Sequence, residues 1–419
     1  MKGFFEIDIP KVTKPKVNRK AFDCEVCGLY KQVNSPKMPY TGEGQLKVLM
    51  LGEAPGKNED LQGKQFVGEA GDLLRETLIA NGFELDRDFY KQNILGCRPT
   101  DKDGNNRPPT KEEIFSCEQR WRKNVEEINP RFIFLFGAKA VEAFFIGRSQ
   151  PITSDLSIGR WNRQCIPDTQ TGAWIIPLYH PSFAVRNADF KPKFQQGLKW
   201  ALDQLKRGSP EFMDWKKFCK PLTDFKEVIH FLRSILDQQS LETIEIAIDY
   251  ETSGLRPYKP GHHIWTIGVS LIELEWPNYG YSFPYSYPNH WSDKQFDSIE
   301  SLWKQILSEP KIPKVAQNIQ MEESWGRRII GVETQNWVHD TMVCSHIINE
   351  HRKFTGLDFQ VFINWGYEYG DDITPFKKPN ESGFNRMHEV PIKQLLEYNA
   401  LDALFTGMLY ERQVEIIGT

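Results

Sequence analysis

Apolar positions along this chain fall into two rhythms, and each predicts a different kind of element. From Lys47 onward, short unbroken apolar runs at Val48–Leu51, Phe132–Phe136 and Ile175–Leu178 have the length and fullness of buried parallel strands. Segments of helical period lie between them. One is Gly71–Ala80, stopped by Asn81-Gly82; another opens at Thr110 behind two prolines, with Glu113 three residues on as a capping box. Strands alternating with helices predict a parallel sheet covered on both faces. A second α/β pattern begins at Ile244: Ile244–Glu251 reads as a strand and Leu395–Tyr410 as an apolar-periodic helix. The first twenty residues are basic and Pro-broken, which predicts an irregular arm over 1–20. Arg207–Pro221, with Gly-Ser-Pro and scattered lysines, marks a boundary. The expected organisation is a first domain over 1–207, a linker over 208–221 and a second domain over 222–419.

Length agrees with that division, since 419 residues exceed one ordinary core and suggest two domains of roughly 200 residues. A composition 40% hydrophobic and 26% charged is that of a globular protein. There is no apolar run of about 18 residues and no basic-then-apolar leader, so neither a membrane span nor a signal peptide is expected. Seven cysteines, an odd number unevenly spread, speak against a secreted disulfide framework. They favour a reducing cytoplasm, that of the host if the protein is viral. The net charge of −4 divides unevenly: residues 1–220 hold 35 Lys+Arg against 28 Asp+Glu (+7), and 221–419 hold 17 against 28 (−11). A basic first half suits a polyanion and an acidic second half suits metal-binding carboxylates. Ordinary solvated surfaces give the same totals, so charge alone does not choose.

Chemistry-bearing residues cluster in both halves. Cys24-x-x-Cys27 is followed by Cys97 and Cys117, a spacing unlike the usual paired CxxC of zinc sites. Cys165, Cys219 and Cys344 have no such partners and read as small buried hydrophobes. The blocks Gly52-Glu53-Ala54-Pro55-Gly56, Phe66-Val67-Gly68-Glu69-Ala70-Gly71, Asn93 ahead of Cys97-Arg98-Pro99, and His180-Pro181-Ser182 arrive in an order that resembles the family 4 uracil-DNA glycosylases over roughly 20–205. The resemblance implies a three-layer αβα fold and a [4Fe–4S] cluster on Cys24, Cys27, Cys97 and Cys117, with zinc as the alternative. It also implies that Asn93 reads a flipped uracil through its amide, that Phe66 stacks on the base, and that His180 stabilises charge on uracil O2. Glu53 would orient the water or stabilise the cationic sugar. The loop Ser182–Asn187, with Ser182, Val185 and Arg186, would fill the hole left by the base; Phe-Ala-Val-Arg is a lighter wedge than the bulky aliphatics often found there.

In the second half, period-2 alternation places Asp249 and Glu251 on one strand face with Cα atoms about 6.6 Å apart, and Tyr398 and Asp402 share a helix face. The blocks Ile248–Thr252, Lys314–Glu322, His339–Met342, Gly356-Leu357-Asp358 and Glu397-Tyr398 through Asp402 resemble the DEDD-type 3′→5′ proofreading exonuclease of family A DNA polymerases over roughly 225–415. The resemblance implies a ribonuclease-H-like fold and Mg²⁺ or Mn²⁺ on Asp249, Glu251, Glu322 and Asp402, with Tyr398 orienting the attacking water. Asp340 would support the fold. Glu322 departs from the family's Asp, and adjacent Glu323 is the ligand if the register shifts.

The combined expectation is a DNA-processing enzyme. It would excise uracil and remove 3′-terminal nucleotides, acting on uracil-containing DNA and single-stranded 3′ ends, with a polymerase in cis or in trans as a further partner. Two rivals stand beside it: a non-catalytic uracil sensor fused to an exonuclease, and the front part of a family A polymerase.

Overall fold

The computed structural model describes residues 24–238, 244–272, 278–381 and 383–418; the expected arm over 1–20 lies outside them. No helix among the described residues is long and apolar enough to cross a membrane. The first half is built on five strands, β1 Val48–Gly52, β2 Phe89–Asn93, β3 Phe132–Phe136, β4 Ile166–Asp168 and β5 Ala173–Leu178, in the order β2-β1-β3-β5-β4. All neighbours run parallel except β4, which pairs antiparallel with β5 and closes one edge. The unbroken apolar runs follow from cover on both faces: Leu49, Leu51, Ile133 and Leu135 enter one core, while Val48, Met50, Phe132 and Phe134 enter the other. The helix Lys111–Ile128 starts at the expected capping box, with Thr110 accepting from Glu113 N–H. The helix expected at Gly71–Ala80 spans Glu69–Ile79.

The second sheet has the order β11-β10-β7-β8-β9-β6, from β6 Cys219–Pro221, β7 Glu245–Thr252, β8 Ile264–Ile272, β9 Tyr279–Pro284, β10 Lys314–Ala316 and β11 Trp337–Asp340. β7, β8 and β9 form an antiparallel meander, and β10 and β11 continue it in parallel beside β7. The long helix Ile392–Ile417 crosses one face so closely that a Cβ on Gly280 would stand 2.0 Å from the Ala400 carbonyl oxygen. Helices Phe225–Gln238 and Asp293–Ser308 cover the other face around Trp303.

Part of the expected linker is a structural piece of the second half. Trp215 is buried against Phe405 with ring centroids 5.3 Å apart, and β6 pairs parallel with β9. The lysines and Gly-Ser-Pro around these residues hid one tryptophan anchor and a three-residue edge strand. The segment Ser182–Asn187, expected as a loop, is mostly helix, Pro181–Arg186, with Pro181 at its first position and His180 as its cap.

The halves are not beads on a string. Phe354, Phe359, Phe362 and Ile363 of the second enter the same core as Trp161, Phe145 and Ile166 of the first. Trp161 stacks on Phe145 at 4.6 Å and meets Phe359 edge-on at 5.1 Å. Arg160, fully buried, lies 3.5 Å from the Phe359 ring centroid and donates to the carbonyls of Ile152, Asp155 and Lys353. Beside it, Arg148 pairs with Asp168 of the first half and Glu368 of the second. Phe359→Ala should therefore lower global stability by about 3–5 kcal/mol. Guanidinium unfolding followed by tryptophan fluorescence and far-UV circular dichroism should show one coincident transition with a lower midpoint.

Candidate functional sites

The carboxyl ends of β1, β2 and β5 converge on a pocket of about 630 Å³ lined by Glu53, Phe66, Asn93, His180, Ser182 and Arg186. Gly52 makes the convergence possible: a Cβ there would stand 2.3 Å from Asn93 Oδ1 and 3.1 Å from the Phe66 ring. Asn93 ends β2 directly beside Gly52 in the parallel register. Its amide is buried and Nδ2 has no hydrogen-bond partner, so a donor faces the pocket unsatisfied. Phe66 is held at φ 54°, a conformation unusual for a bulky residue. Glu59 stabilises it, accepting from the backbone N–H of Phe66 and of Gly56 at 2.5 Å each.

His180 Nδ1 accepts from the backbone N–H of Ser182 at 3.1 Å. A backbone N–H only donates, so the ring proton sits on Nε2. Burial, helped by the Arg186 charge, pushes the imidazole down to about 4. The ring is therefore neutral near pH 7 and a donor at Nε2. Burial pushes the Glu53 carboxyl up, opposed by the charges of Lys139 and Arg186. Lys139, on the helix Ala138–Phe145 after β3, was missed in the sequence; a Gly-Ala-Lys after an apolar strand was its only signal. Val185 is absent from the pocket wall and exposed, because the helix Pro181–Arg186 turns it outward.

Cys24, Cys27, Cys97 and Cys117 gather at the edge of the same domain, each of Cys24 and Cys97 raised chiefly by burial and then, among other charges, by the neighbouring cysteines. Lys37 N–H donates to Cys97 Sγ at 3.2 Å. Among the described residues the set of three or more candidate ligand atoms all within 4.8 Å of one another is Asp249, Glu251 and Asp402, with no cysteine in it. No three of the four sulfurs therefore lie all within 4.8 Å of one another, as they would around one tetrahedral zinc at about 3.8 Å separation, which leaves room for a larger inorganic cluster.

At the second site, β7 alternation turns Asp249 and Glu251 to one face and Tyr250 into the core. Asp402 meets them from the long helix. Burial raises all three carboxyls, Asp402 to about 6, and mutual repulsion adds to burial for Asp249 and Glu251. Asn399, one turn before Asp402, donates from Nδ2 to Asp249 Oδ2 at 2.6 Å. Hard carboxylate oxygens this close fit a divalent cation. Glu322 is buried beside them, with Oε2 unpartnered and its carboxyl raised by burial and then by Asp249, yet it stands outside the tight trio. Glu323 is occupied elsewhere, accepting from Arg327 and from Trp337 Nε1. Asp340 caps the helix Thr341–Ile348 and also accepts from Asn318 and Ile319 N–H. Tyr398 OH accepts from Lys377 Nζ at 2.5 Å, and Tyr369 OH donates to Asp402 Oδ1 at 2.5 Å. Burial opposes the Lys377 charge, but Asp402, Glu251, Asp358 and Asp249 outweigh it and hold the ammonium above its ordinary range. Lys377 and Tyr369 carried no sequence signal, since Lys377 ends the four-residue helix Thr374–Lys377 and Tyr369 lies in the irregular stretch before it.

The profile of the uracil DNA glycosylase superfamily matches residues 38–202, and that of a 3′→5′ exonuclease family matches 220–415. A type-4 uracil-DNA glycosylase of Thermotoga maritima is 36% identical over 173 residues, 41% of this chain and 82% of its own length. The Archaeoglobus fulgidus enzyme of the same type is 28% identical over 204 residues, 47% of this chain and 96% of its own. A DNA polymerase of Bacillus phage SP01 is 21% identical over 402 residues, 92% of this chain but 42% of its own length; the chain spans less than half of that relative.

A raised carboxyl favours folding at low pH: its contribution is complete below about 4, the ordinary Asp value, and is lost as pH rises through about 6 for Asp402. In the metal-free protein, Asp402→Asn should therefore raise Tm relative to wild type by an amount that grows between pH 4 and 6 and then levels. Adding Mg²⁺ at pH 7 should reverse the order, stabilising wild type alone. Thermal melts of both proteins across that range, with and without Mg²⁺, measure this.

Proposed function

Because this chain belongs, through its first half, to the type-4 uracil-DNA glycosylases and carries a 3′→5′ exonuclease domain in its second, we propose that it hydrolyses the N-glycosidic bond of uracil in DNA and removes 3′-terminal nucleotides from DNA strands. The observation that carries this reading is the pocket that joins an unsatisfied Asn93 donor, the Phe66 ring and a neutral His180. Uracil flipped into it presents an O4 acceptor and an N3 donor. The Asn93 amide complements both, and its free Nδ2–H matches O4, where cytosine has a donor instead. Phe66 supplies a stacking face. As the C1′–N1 bond breaks, negative charge grows on the leaving base. The Nε2–H of His180 meets it at O2 without itself gaining or losing a proton. Glu53, whose carboxyl burial raises against the opposing charges of Lys139 and Arg186, takes the proton of the water that adds to C1′. Arg186, on the pocket rim, is placed to contact phosphate; Val185 points away from the hole it was expected to fill.

The resident cofactors belong to this reading. Cys24, Cys27, Cys97 and Cys117 would hold a [4Fe–4S] cluster, which ties the N-terminal segment to β2's end and the helix Lys111–Ile128. Asp249, Glu251 and Asp402, backed by Glu322, would hold Mg²⁺ or Mn²⁺, whose chemistry is to activate water and neutralise charge on the scissile phosphate. Asn399 fixes the Asp249 rotamer, and Tyr398 and Tyr369 supply hydroxyls beside the attacking water's place. Collinear similarity of both domains to a phage DNA polymerase supports work alongside a polymerising activity, in cis or in trans.

A labelled uracil oligonucleotide incubated with the protein should release uracil equally with and without EDTA, while shortening from its 3′ end should need Mg²⁺. His180→Ala should lower single-turnover uracil release about 100-fold or more with little loss of binding; equal losses in both would assign His180 to substrate binding. Asp249→Asn should abolish 3′ shortening and leave uracil release intact, since well-separated sites act nearly additively.

A further inference from the structure

Where the halves meet they leave a cleft of about 850 Å³ apart from both sites, walled by Asn162, Arg163 and Trp200 of the first half and by Asn349, Asn364 and Arg412 of the second. Its charge is unusual. Arg163, Arg412 and Arg207, which lies close enough to influence Arg412, form no ion pair among the described residues. Burial, and then Arg207, hold the Arg412 guanidinium below its ordinary range against the opposing charges of Glu415 and Cys165. Glu350 lines the cleft and Glu415 lies near Arg412, yet neither closes a pair. The wall is also aromatic, with the Arg163 guanidinium 5.7 Å from the Trp200 ring centroid. Asn162 Oδ1 is buried there without a hydrogen-bond partner, an acceptor awaiting a donor.

Unpaired guanidinium forks, an aromatic face and an unsatisfied amide oxygen are the groups that hold a single-stranded nucleic acid, by phosphate, by base stacking and by base edge. The cleft's place agrees. Arg163 N–H donates to the Pro177 carbonyl at 3.1 Å, three residues before His180, or about 10 Å along an extended chain. Arg412 stands ten residues after Asp402 on one helix, or about 15 Å. We propose that this cleft binds a single-stranded DNA segment, with phosphates on Arg163 and Arg412 and a base against Trp200, so that one strand is gripped by both domains at once. The proposal rests on DNA being the substrate of both.

The test is fluorescence anisotropy of a labelled thymidine 20-mer, free of uracil, in EDTA across a salt series. Relative to wild type, Arg163→Ala/Arg412→Ala should bind at least fivefold more weakly, with a log–log salt slope shallower by about 1.4, some 0.7 for each lost phosphate contact. Arg163→Lys/Arg412→Lys should restore most of that slope. Unchanged uracil release from a short oligonucleotide shows that the alanine variant is folded. An alanine variant that binds the 20-mer like wild type overturns the proposal. One that loses binding of dTMP alone while keeping the 20-mer makes the cleft a mononucleotide site and overturns it too. Wild-type protein that fails to bind the 20-mer at all overturns the DNA assignment, and the cleft with it.

Discussion

The relative placement of the two halves is set where a buried cation, Arg160, sits inside an apolar core that both halves share. Arg160 is removed from water among Phe359, Trp161 and three backbone carbonyls, and burial depresses it only to about 10, so it remains charged at neutral pH. Stranding such a charge by removing its partners costs several kcal/mol, so the seam admits few alternative arrangements. The carbonyl it caps at Lys353 and the ring it faces at Phe359 belong to the second half, while its own turn, Ile158–Trp161, belongs to the first. Interface and domain core are the same layer, and the cleft beside it inherits a fixed shape.

Both sites exploit desolvation, in opposite directions. In the first pocket burial removes charge, leaving a neutral His180 whose donor, on the proposed reading, would face the charge that develops on the base. At the exonuclease site burial opposes the ionisation of three carboxyls together and of a fourth at Glu322 with an unpartnered oxygen, and Lys377 is the internal counter-ion. A divalent cation relieves the carboxyls' mutual repulsion more fully than one ammonium does.

Close approach of backbone elements sets the geometry of each. Gly52 lets Asn93 and Phe66 reach the pocket floor, and Gly280 lets the helix bearing Tyr398 and Asp402 lie flat on its sheet. A side chain at Gly52 would push directly on Asn93 and Phe66, and one at Gly280 would lift the helix backbone at Ala400; a 1 Å displacement of such groups is enough for a large loss in rate.

Local features were legible in the residues themselves. The strands β1, β3 and β5 appear as apolar runs because both their faces are buried, and the helix after Thr110 appears because its capping box is a short-range hydrogen-bond pattern. Asp249 and Glu251 were placed on one face by the period of a strand, and Asp402 beside Tyr398 by the period of a helix. Short elements held by distant partners were illegible: β6 inside an apparent linker, β2 with its mixed Phe-Tyr-Lys-Gln-Asn, and the helix that turns Val185 to solvent. Lys377 and Tyr369 have no local pattern, and Lys139 only a Gly-Ala-Lys after an apolar strand, because their roles come from charges and hydroxyls brought near by folding. The cleft of Arg163, Arg412 and Trp200 is the extreme case. Its walls lie some 250 residues apart, so periodicity, which reports only which face of an element is dry, carries no trace of it; only the packing of the two halves on Arg160 brings those groups together.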